Sequence, residues 1–187
     1  MITIKKRKLL MKISPYFLGI LGIGVLSQCT NHLPVISDDS FQKMHLIIER
    51  TVTDTVKVKF ENFILENRIP LSATSLKPGI YKGESAYDDY GYKHVISFKV
   101  ENGRFSEISY DEIKENGQGK IADTSYCNTM NETHPGSGPA ISYPIYVEQL
   151  ESKQDLGKID AVTGATYSKY RLQYAAIRAI LKGPVHK

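Results

Sequence analysis

Residues 160–168 read DAVTGATYS and stand directly before a strong helical pattern. Gly164 and Ala165 leave the main chain accessible at this point, and hydroxyl side chains surround them. The first turn of a helix presents unpaired N–H groups and the positive end of the helix dipole, and both stabilise a bound phosphate. The stretch therefore predicts an anion site. The alternative is that its hydroxyls only cap the helix, which is a common role of Thr163, Thr166 and Ser168 in such a position.

The order of residue types in this stretch resembles the flavinylation motif of the FMN-binding domain family. That domain occurs in a subunit of sodium-pumping NADH:quinone oxidoreductases and in bacterial extracellular electron-transfer lipoproteins. In the family, the second threonine of the motif carries FMN through a phosphodiester bond, which a flavin transferase forms with FAD as the donor. The resemblance implies that Thr166 is the acceptor of FMN and that Asp160, Thr163, Gly164 and Ala165 complete the recognition sequence.

A looser resemblance to the same family extends upstream and covers roughly residues 76–181. It implies that Gly91 and Tyr92, which look like the start of the second strand, lie at the cofactor. His94 departs from the family pattern, because a small residue is expected there, and Cys127 interrupts a second matching stretch. The aromatic side chains that could stack on the isoalloxazine are those of Tyr92, Tyr126 and Tyr167.

The pattern of apolar residues predicts a mixed fold. Strict alternation predicts a β-hairpin over residues 96–110 with a turn at Asn102-Gly103, and residues 78–83 look like the first strand of the family. Helical spacing favours a helix over 41–63, although 56–60 also alternate as a strand would. We therefore expect an α+β fold, in which a small antiparallel sheet packs against helices as a single FMN-binding domain.

Two further helices are expected in the second half of the chain. One covers residues 139–154 and is interrupted, or begins late, near Pro144. The other covers 168–182 and ends at Gly183. Its apolar stripe is expected to pack on the sheet and thereby to orient Thr166; the stripe consists of Tyr170, Tyr174, Ile177 and Leu181.

Residues 1–28 have the layout of an export signal, with a basic start and an apolar run shorter than the ~20 residues that span a bilayer. They resemble a bacterial lipoprotein signal peptide, which implies that Cys29 is lipidated after cleavage. Gln28 departs from the small residue usual at its position, and an uncleaved membrane anchor is the alternative. Both readings place a tether and N-terminal segment (29–75) and the FMN-binding domain (76–183) at the cell membrane, facing outside the cytoplasm.

Composition and residue spacing restrict the function classes. Five of the 24 basic residues lie within residues 1–28, so the remainder carries 19 basic and 20 acidic side chains. This balance gives no electrostatic argument for nucleic-acid binding. The five histidines have no metal-ligand spacing and no nucleophile motif occurs, so we predict neither catalytic nor metal-ligating residues. Cys127 has no cysteine partner once Cys29 is lipidated, and a lone cysteine is more often a small buried side chain.

The resemblance implies an electron-transfer flavoprotein rather than a stand-alone enzyme. Covalent FMN would receive electrons from a membrane quinol or dehydrogenase partner and pass them to an acceptor outside the cytoplasm. Two alternatives remain open. The chain could be a non-redox surface lipoprotein in which the motif only caps a helix, or a reductase with a substrate site of its own.

Overall fold

Five α-helices and three β-strands are formed by residues 33–185, the part of the chain that the computed structural model describes. Two helices come first, the strands follow, and three helices complete the order. Short 3-10 turns cover Ala73–Ser75 and Leu156–Lys158. The bounds in chain order are α1 Asp38–Arg50, α2 Thr53–Glu66, β1 Gly79–Glu84, β2 Tyr92–Glu101, β3 Arg104–Lys114, α3 Thr124–Thr133, α4 Pro139–Lys153 and α5 Thr166–Lys182.

The strands form one antiparallel sheet in the order β1-β2-β3. Asn102 and Gly103 connect β2 to β3, and both have positive φ values, 52° and 69°, as a tight hairpin turn requires. Along β2, buried and half-buried side chains alternate, so that one face of the sheet turns inward. The predicted hairpin and the predicted first strand are confirmed, and so is the α+β fold class.

Helix α5 packs closely on the sheet. Leu172, Ala175 and Ala179 on its inward side are fully buried. Gly83 of β1 lies directly against this helix, because a Cβ atom at Gly83 would be 2.0 Å from the carbonyl oxygen of Ala175 and 2.8 Å from the nitrogen of Ala179. The absence of a side chain at Gly83 therefore permits the close approach of strand and helix.

The tyrosine stripe of α5 packs on α1 and α2, so its predicted packing on the sheet is wrong. Tyr174 contacts Phe41 of α1 edge to face, with ring centroids 5.8 Å apart, and Tyr170 contacts Phe60 of α2 in the same way at 5.6 Å. The reason is that α5 is buried on two faces: its small alanines fit the sheet, and its larger aromatic side chains fill the space beside the N-terminal helices.

The segment predicted as one helix over 41–63 consists of two. The break falls at Thr51 and Val52, where the backbone is extended, with ψ values of 155° and 148°. Each helix buries its own apolar stripe, which includes Ile48 in α1 and Val56 in α2. The preference for helix is confirmed, and the alternative strand over 56–60 is wrong.

Helix α4 continues through Pro144 without a break, contrary to the prediction. Proline removes one N–H and crowds the carbonyl group four residues earlier, here that of Ala140. Both Pro144 and Ala140 are exposed, so water can bind that carbonyl group. On the opposite side of α4, Tyr143 and Tyr146 are buried and hold the helix against the core.

No helix within residues 33–185 is long and apolar enough to cross a membrane. The predicted signal peptide and the predicted lipidation of Cys29 lie outside the described residues.

Candidate functional site

Thr166 is the first residue of α5, and Ala165 is its N-cap. The alternative, that the hydroxyls only cap the helix, is wrong, because no side chain makes a cap hydrogen bond at this helix start. Within residues 33–185, neither the Thr166 hydroxyl nor the backbone N–H groups of Thr166 and Tyr167 have a hydrogen-bond partner. The helix start therefore offers an unpaired hydroxyl beside two unpaired N–H donors.

A tight turn precedes this helix start. The backbone N–H of Ala165 donates to the carbonyl oxygen of Val162 at 2.9 Å, and Gly164 has φ 79°. A Cβ atom at Gly164 would lie 2.8 Å from the Cβ of Ser137 and 3.1 Å from that of His134. Glycine is therefore required here for two reasons, the left-handed backbone and the close contact with the connection between α3 and α4.

Tyr146 of α4 holds the turn from beneath. Its hydroxyl donates to the carbonyl oxygen of Ala165 at 2.7 Å and accepts from the N–H of Val162 at 3.1 Å. The side chain is fully buried, and burial raises the pKa of Tyr146 to about 12. A neutral phenol with both of its hydrogen bonds made fixes the two ends of the turn.

The same face of α4 binds the start of the motif. Gln149 accepts a hydrogen bond from the N–H of Asp160 at 2.7 Å and donates to its carbonyl oxygen at 3.2 Å. Lys153, one turn further, donates to both the Gln149 side chain and the Asp160 carboxylate. The contact with Lys153 lowers the pKa of Asp160. The side chains of Tyr146, Gln149 and Lys153 thus follow one stripe of α4 and hold residues 160–165.

Two helix starts meet at this turn. Helix α4 begins at Pro139 after the N-cap Gly138, again without a side-chain cap hydrogen bond. Its neighbour Ser137 is the residue that Gly164 contacts. The N-terminal ends of α4 and α5 therefore lie near each other, and no acidic residue is present in the first turn of either helix. Such an arrangement favours an anion.

Gly91 and Tyr92 lie at the other end of α3. The hydroxyl of Tyr92 donates to the carboxylate of Asp123, the N-cap of α3, at 3.1 Å. Gly91 is exposed in the preceding turn. The motif contacts the connection that follows α3, and a helix of ten residues is about 15 Å long. The structure therefore links these residues to Thr166 through α3 without bringing them into contact.

The other aromatic candidates also diverge. Lys120 lies over the rings of Tyr92 and Tyr126, with its ammonium nitrogen 4.6 and 4.7 Å from their centroids. The hydroxyl of Tyr167 donates to the carbonyl oxygen of Thr51, between α1 and α2, at 2.8 Å. Tyr92 and Tyr126 thus belong to one cluster, and Tyr167 faces the N-terminal helices.

A buried ionic cluster, formed by Glu49, His94, Glu112, Lys120 and Arg171, was not predicted from the sequence. The two ring nitrogens of His94 lie 3.4 Å from a Glu49 oxygen and 3.5 Å from a Glu112 oxygen. Lys120 contacts Glu112 at 2.6 Å, and Arg171 binds Glu49 at 2.9 Å. In the same order, these residues come from α1, β2, β3, the β3–α3 connection and α5, so no spacing along the chain reveals them. The sequence signal was the unexpected histidine at position 94.

The charges in this cluster support one another. Burial alone would lower the pKa of His94, but the contacts with Glu112 and Glu49 raise it. Burial alone would raise the pKa of Glu49, but His94 and Arg171 hold it at about 2. The pKa of Glu112 is lowered in the same way against its own burial. Since each ring nitrogen of His94 faces a carboxylate, the arrangement fits a doubly protonated imidazolium.

Comparison with solved structures finds two clostridial proteins. The crystal structure of the CPE2226 protein from Clostridium perfringens is 35% identical to this chain, covers 58% of this chain and 88% of its own, and superposes with a TM-score of 0.53. The chain belongs to the same family as that clostridial protein. A solution structure from Clostridium thermocellum is 21% identical, covers 59% of this chain and 96% of its own, and has a TM-score of 0.37. Neither models of known families nor curated proteins match the chain.

Cys127 is half-buried, so the prediction of a buried cysteine is wrong. Its thiol lies 3.6 Å from the carbonyl oxygen of Lys120. The reason is that α3 has no buried residue at all; the helix covers an edge of the fold rather than its core.

Proposed function

We propose that this protein is a membrane-anchored flavoprotein that carries FMN covalently on Thr166. It would take electrons from a membrane quinol or dehydrogenase partner and transfer them to an acceptor outside the cytoplasm. The observation that carries the proposal is the placement of Thr166. The second threonine of the flavinylation motif stands first in α5, with a hydroxyl that no residue of the described chain binds.

The residues around Thr166 fit a phosphodiester group. The side chain is only partly buried, and two unpaired N–H groups adjoin it. Two uncapped helix starts meet at the turn, without an acidic residue in their first turns. The one acidic residue of the motif, Asp160, is engaged by Lys153. These features favour the single negative charge of a phosphate group joined to the Thr166 oxygen.

The attachment would be a phosphoryl transfer to Thr166, performed by a flavin transferase with FAD. The Thr166 oxygen forms a bond to the phosphorus of the FMN portion, and the bond from this phosphorus to the bridging oxygen of the FAD pyrophosphate breaks. AMP leaves, and the hydroxyl proton passes to a base of the transferase. Tyr146 and Gly164 keep the acceptor turn in one conformation at the surface, where a second protein can reach it.

Bound FMN supplies reversible uptake of electrons, and the polypeptide supplies attachment and orientation. A covalent bond suits a protein outside the cell, because a cofactor held only by non-covalent contacts would be lost once it dissociated. If Cys29 carries the lipid, eight residues separate it from the start of α1 at Asp38. A chain of that length spans at most about 30 Å. The domain would thus stay near the membrane and its electron donor.

The test is production of the full chain together with a flavin transferase. Flavin fluorescence that remains with the denatured protein, and the mass of the peptide that contains Thr166, report covalent attachment. We expect wild-type protein and the control Ser168→Ala to be flavinylated and Thr166→Ala to be free of flavin. Ser168 is a suitable control because its hydroxyl stands two residues further along the same helix. Wild-type protein without flavin would overturn the proposal and favour the non-redox surface lipoprotein.

A further inference from the structure

Lys169 places a positive charge at the N-terminal end of α5. It lies in the first turn of the helix, three residues after Thr166, where the dipole is positive and no acidic residue balances it. A cation at this end of a helix is unfavourable, since the favoured position of lysine is the last turn. Lys182 occupies that favoured position in the same helix.

Lys169 also lacks an ion-pair partner. No carboxylate of residues 33–185 lies within 4.0 Å of its ammonium group, which lies over the ring of Tyr170 at 5.3 Å from the centroid. Asp160 and Glu61 of α2 are close enough to attract it, but neither lies within 4.0 Å, and Asp160 is already paired with Lys153. Burial lowers the pKa of Lys169 despite that attraction, and Lys153 and Lys57 lower it further. The site therefore holds a half-buried cation that no described carboxylate contacts directly.

The position of Lys169 relative to Thr166 is defined by the helix. Residues three apart share one face of an α-helix, with Cβ atoms about 5–6 Å apart. A lysine side chain is long enough to reach a group bonded to the neighbouring threonine oxygen. Lys169 therefore stands beside the atom to which the proposed phosphodiester would be joined.

We propose that Lys169 is the charge partner of a phosphodiester on Thr166 and fixes the direction in which that group leaves the helix. This inference rests on the proposed function. A phosphodiester carries one negative charge, which is the charge that the first turn of α5 lacks. In the unmodified protein, Lys169 lowers the stability because its charge is repelled by the positive end of the helix dipole. In the modified protein, the same charge is attracted by the phosphodiester.

The proposal predicts a change of sign. In unmodified protein, Lys169→Gln removes an unfavourable cation and should raise the melting temperature by about 1–4 °C. In flavinylated protein, the same substitution removes the partner of the phosphodiester and should lower the melting temperature. A purely structural role of Lys169 would give a shift of the same sign in both forms.

The experiment measures melting temperatures of the full chain with and without flavin, using protein produced with and without the transferase. Lys169→Arg keeps the positive charge and should behave like wild type in both forms. Lys182→Gln is the matched control, because it removes a lysine from the opposite end of the same helix. Its shift should be equal in the two forms.

A second measurement reports on the phosphodiester group directly. The phosphorus-31 resonance of flavinylated wild-type protein should shift with pH as Lys169 loses its proton, since a phosphodiester itself does not titrate near or above neutral pH. The resonance should stay constant over the same range in flavinylated Lys169→Gln.

The outcomes separate the two proposals. Wild-type protein that gains no flavin overturns the proposed function, and this inference with it. Flavinylated wild-type protein with a pH-independent resonance, together with a Lys169→Gln shift of equal sign in both forms, overturns the role of Lys169 alone.

Discussion

The hydroxyl of Tyr146 donates to the carbonyl oxygen of Ala165 and accepts from the N–H of Val162, so one side chain of α4 closes the turn that precedes Thr166. Tyr146→Phe would remove the hydrogen bond of the half-buried Val162 N–H and one of the two hydrogen bonds to the Ala165 carbonyl oxygen, which also accepts from the N–H of Ser168. We expect a loss of about 1–3 kcal/mol in the free energy of unfolding, measured by denaturant titration.

Tyr81→Phe is the control for this substitution. The Tyr81 ring is also buried, and its hydroxyl makes a single hydrogen bond, to the carbonyl oxygen of Lys77 at 2.8 Å. Tyr81→Phe should lower the free energy of unfolding by less than Tyr146→Phe, because only one backbone group is affected and the Tyr81 hydroxyl is only partly buried. A Tyr146→Phe protein as stable as wild type would show that water replaces the hydroxyl and that the turn does not depend on it.

Gly83→Ala should destabilise the fold through a direct clash. The new Cβ atom would lie 2.0 Å from the Ala175 carbonyl oxygen, which belongs to the backbone and cannot rotate away. Strand β1 and helix α5 must then separate, at a cost of about 3 kcal/mol or more. Thermal and denaturant unfolding both report this loss.

Gly91→Ala distinguishes a clash from backbone strain. Gly91 has φ 76°, but a Cβ atom there would meet nothing within 4 Å. Its cost should be limited to about 1–2 kcal/mol for the left-handed conformation. Equal losses for Gly83→Ala and Gly91→Ala would contradict the close packing of β1 on α5.

The hairpin and the end of α5 could be predicted from the sequence because their signals are local. Asn102-Gly103 sets the turn, and the alternation on either side sets which residues face inward. Gly183 ends α5 with φ 80°. The order of residues 160–168 alone predicts Thr166 as the site residue. It does not predict that Tyr146 of α4 binds the turn before Thr166, which only the structure shows.

Features that depend on distant parts of the chain could not be predicted. The stripe of Tyr170 and Tyr174 identifies a buried helix face but not its partner, which is the pair α1 and α2. Pro144 is a local signal for a break, yet burial of the opposite side of α4 outweighs it. His94 finds its two carboxylates in α1 and β3, and nothing in the sequence pairs them.

The buried His94 makes stability depend on pH. Its pKa is raised, so its contribution is fully present below the unfolded value of about 6.5 and is lost as the pH rises through the folded pKa. The pKa of Glu49 is lowered to about 2, so its contribution is present above about 4.3 and is lost as the pH falls. The contributions of these two groups are both fully present between about pH 4.3 and 6.5.

The charged and titratable groups that face His94 are Glu49 and His45 from α1, Glu112 from β3 and Arg171 from α5. Burial lowers the pKa of His45, so its contribution has the opposite sign and is lost as the pH falls. His94→Gln removes the contribution of the His94 imidazolium alone and so separates it from that of His45. In urea titrations across the pH range, wild-type stability should decline on the alkaline side more steeply than that of His94→Gln. Parallel curves would contradict a protonated His94 in the folded protein.

Lys120 neutralises the most deeply buried carboxylate of the ionic cluster. Its ammonium group is 2.6 Å from Glu112, and both side chains are almost completely buried. Lys120→Met removes one charge of this pair and leaves Glu112 with fewer compensating charges, which should cost about 3–5 kcal/mol. Lys114→Met is the matched control, because Lys114 lies over the same Tyr92 ring at 4.9 Å but is partly exposed and pairs only loosely with Asp123 at 3.7 Å. It should cost at most about 1 kcal/mol.

The double variant Lys120→Met, Glu112→Gln should regain part of the loss, because it also removes the uncompensated charge. If the two single lysine substitutions cost the same, the charge of Lys120 is not required by Glu112, and Arg171 and His94 alone suffice to hold that carboxylate ionised in the core.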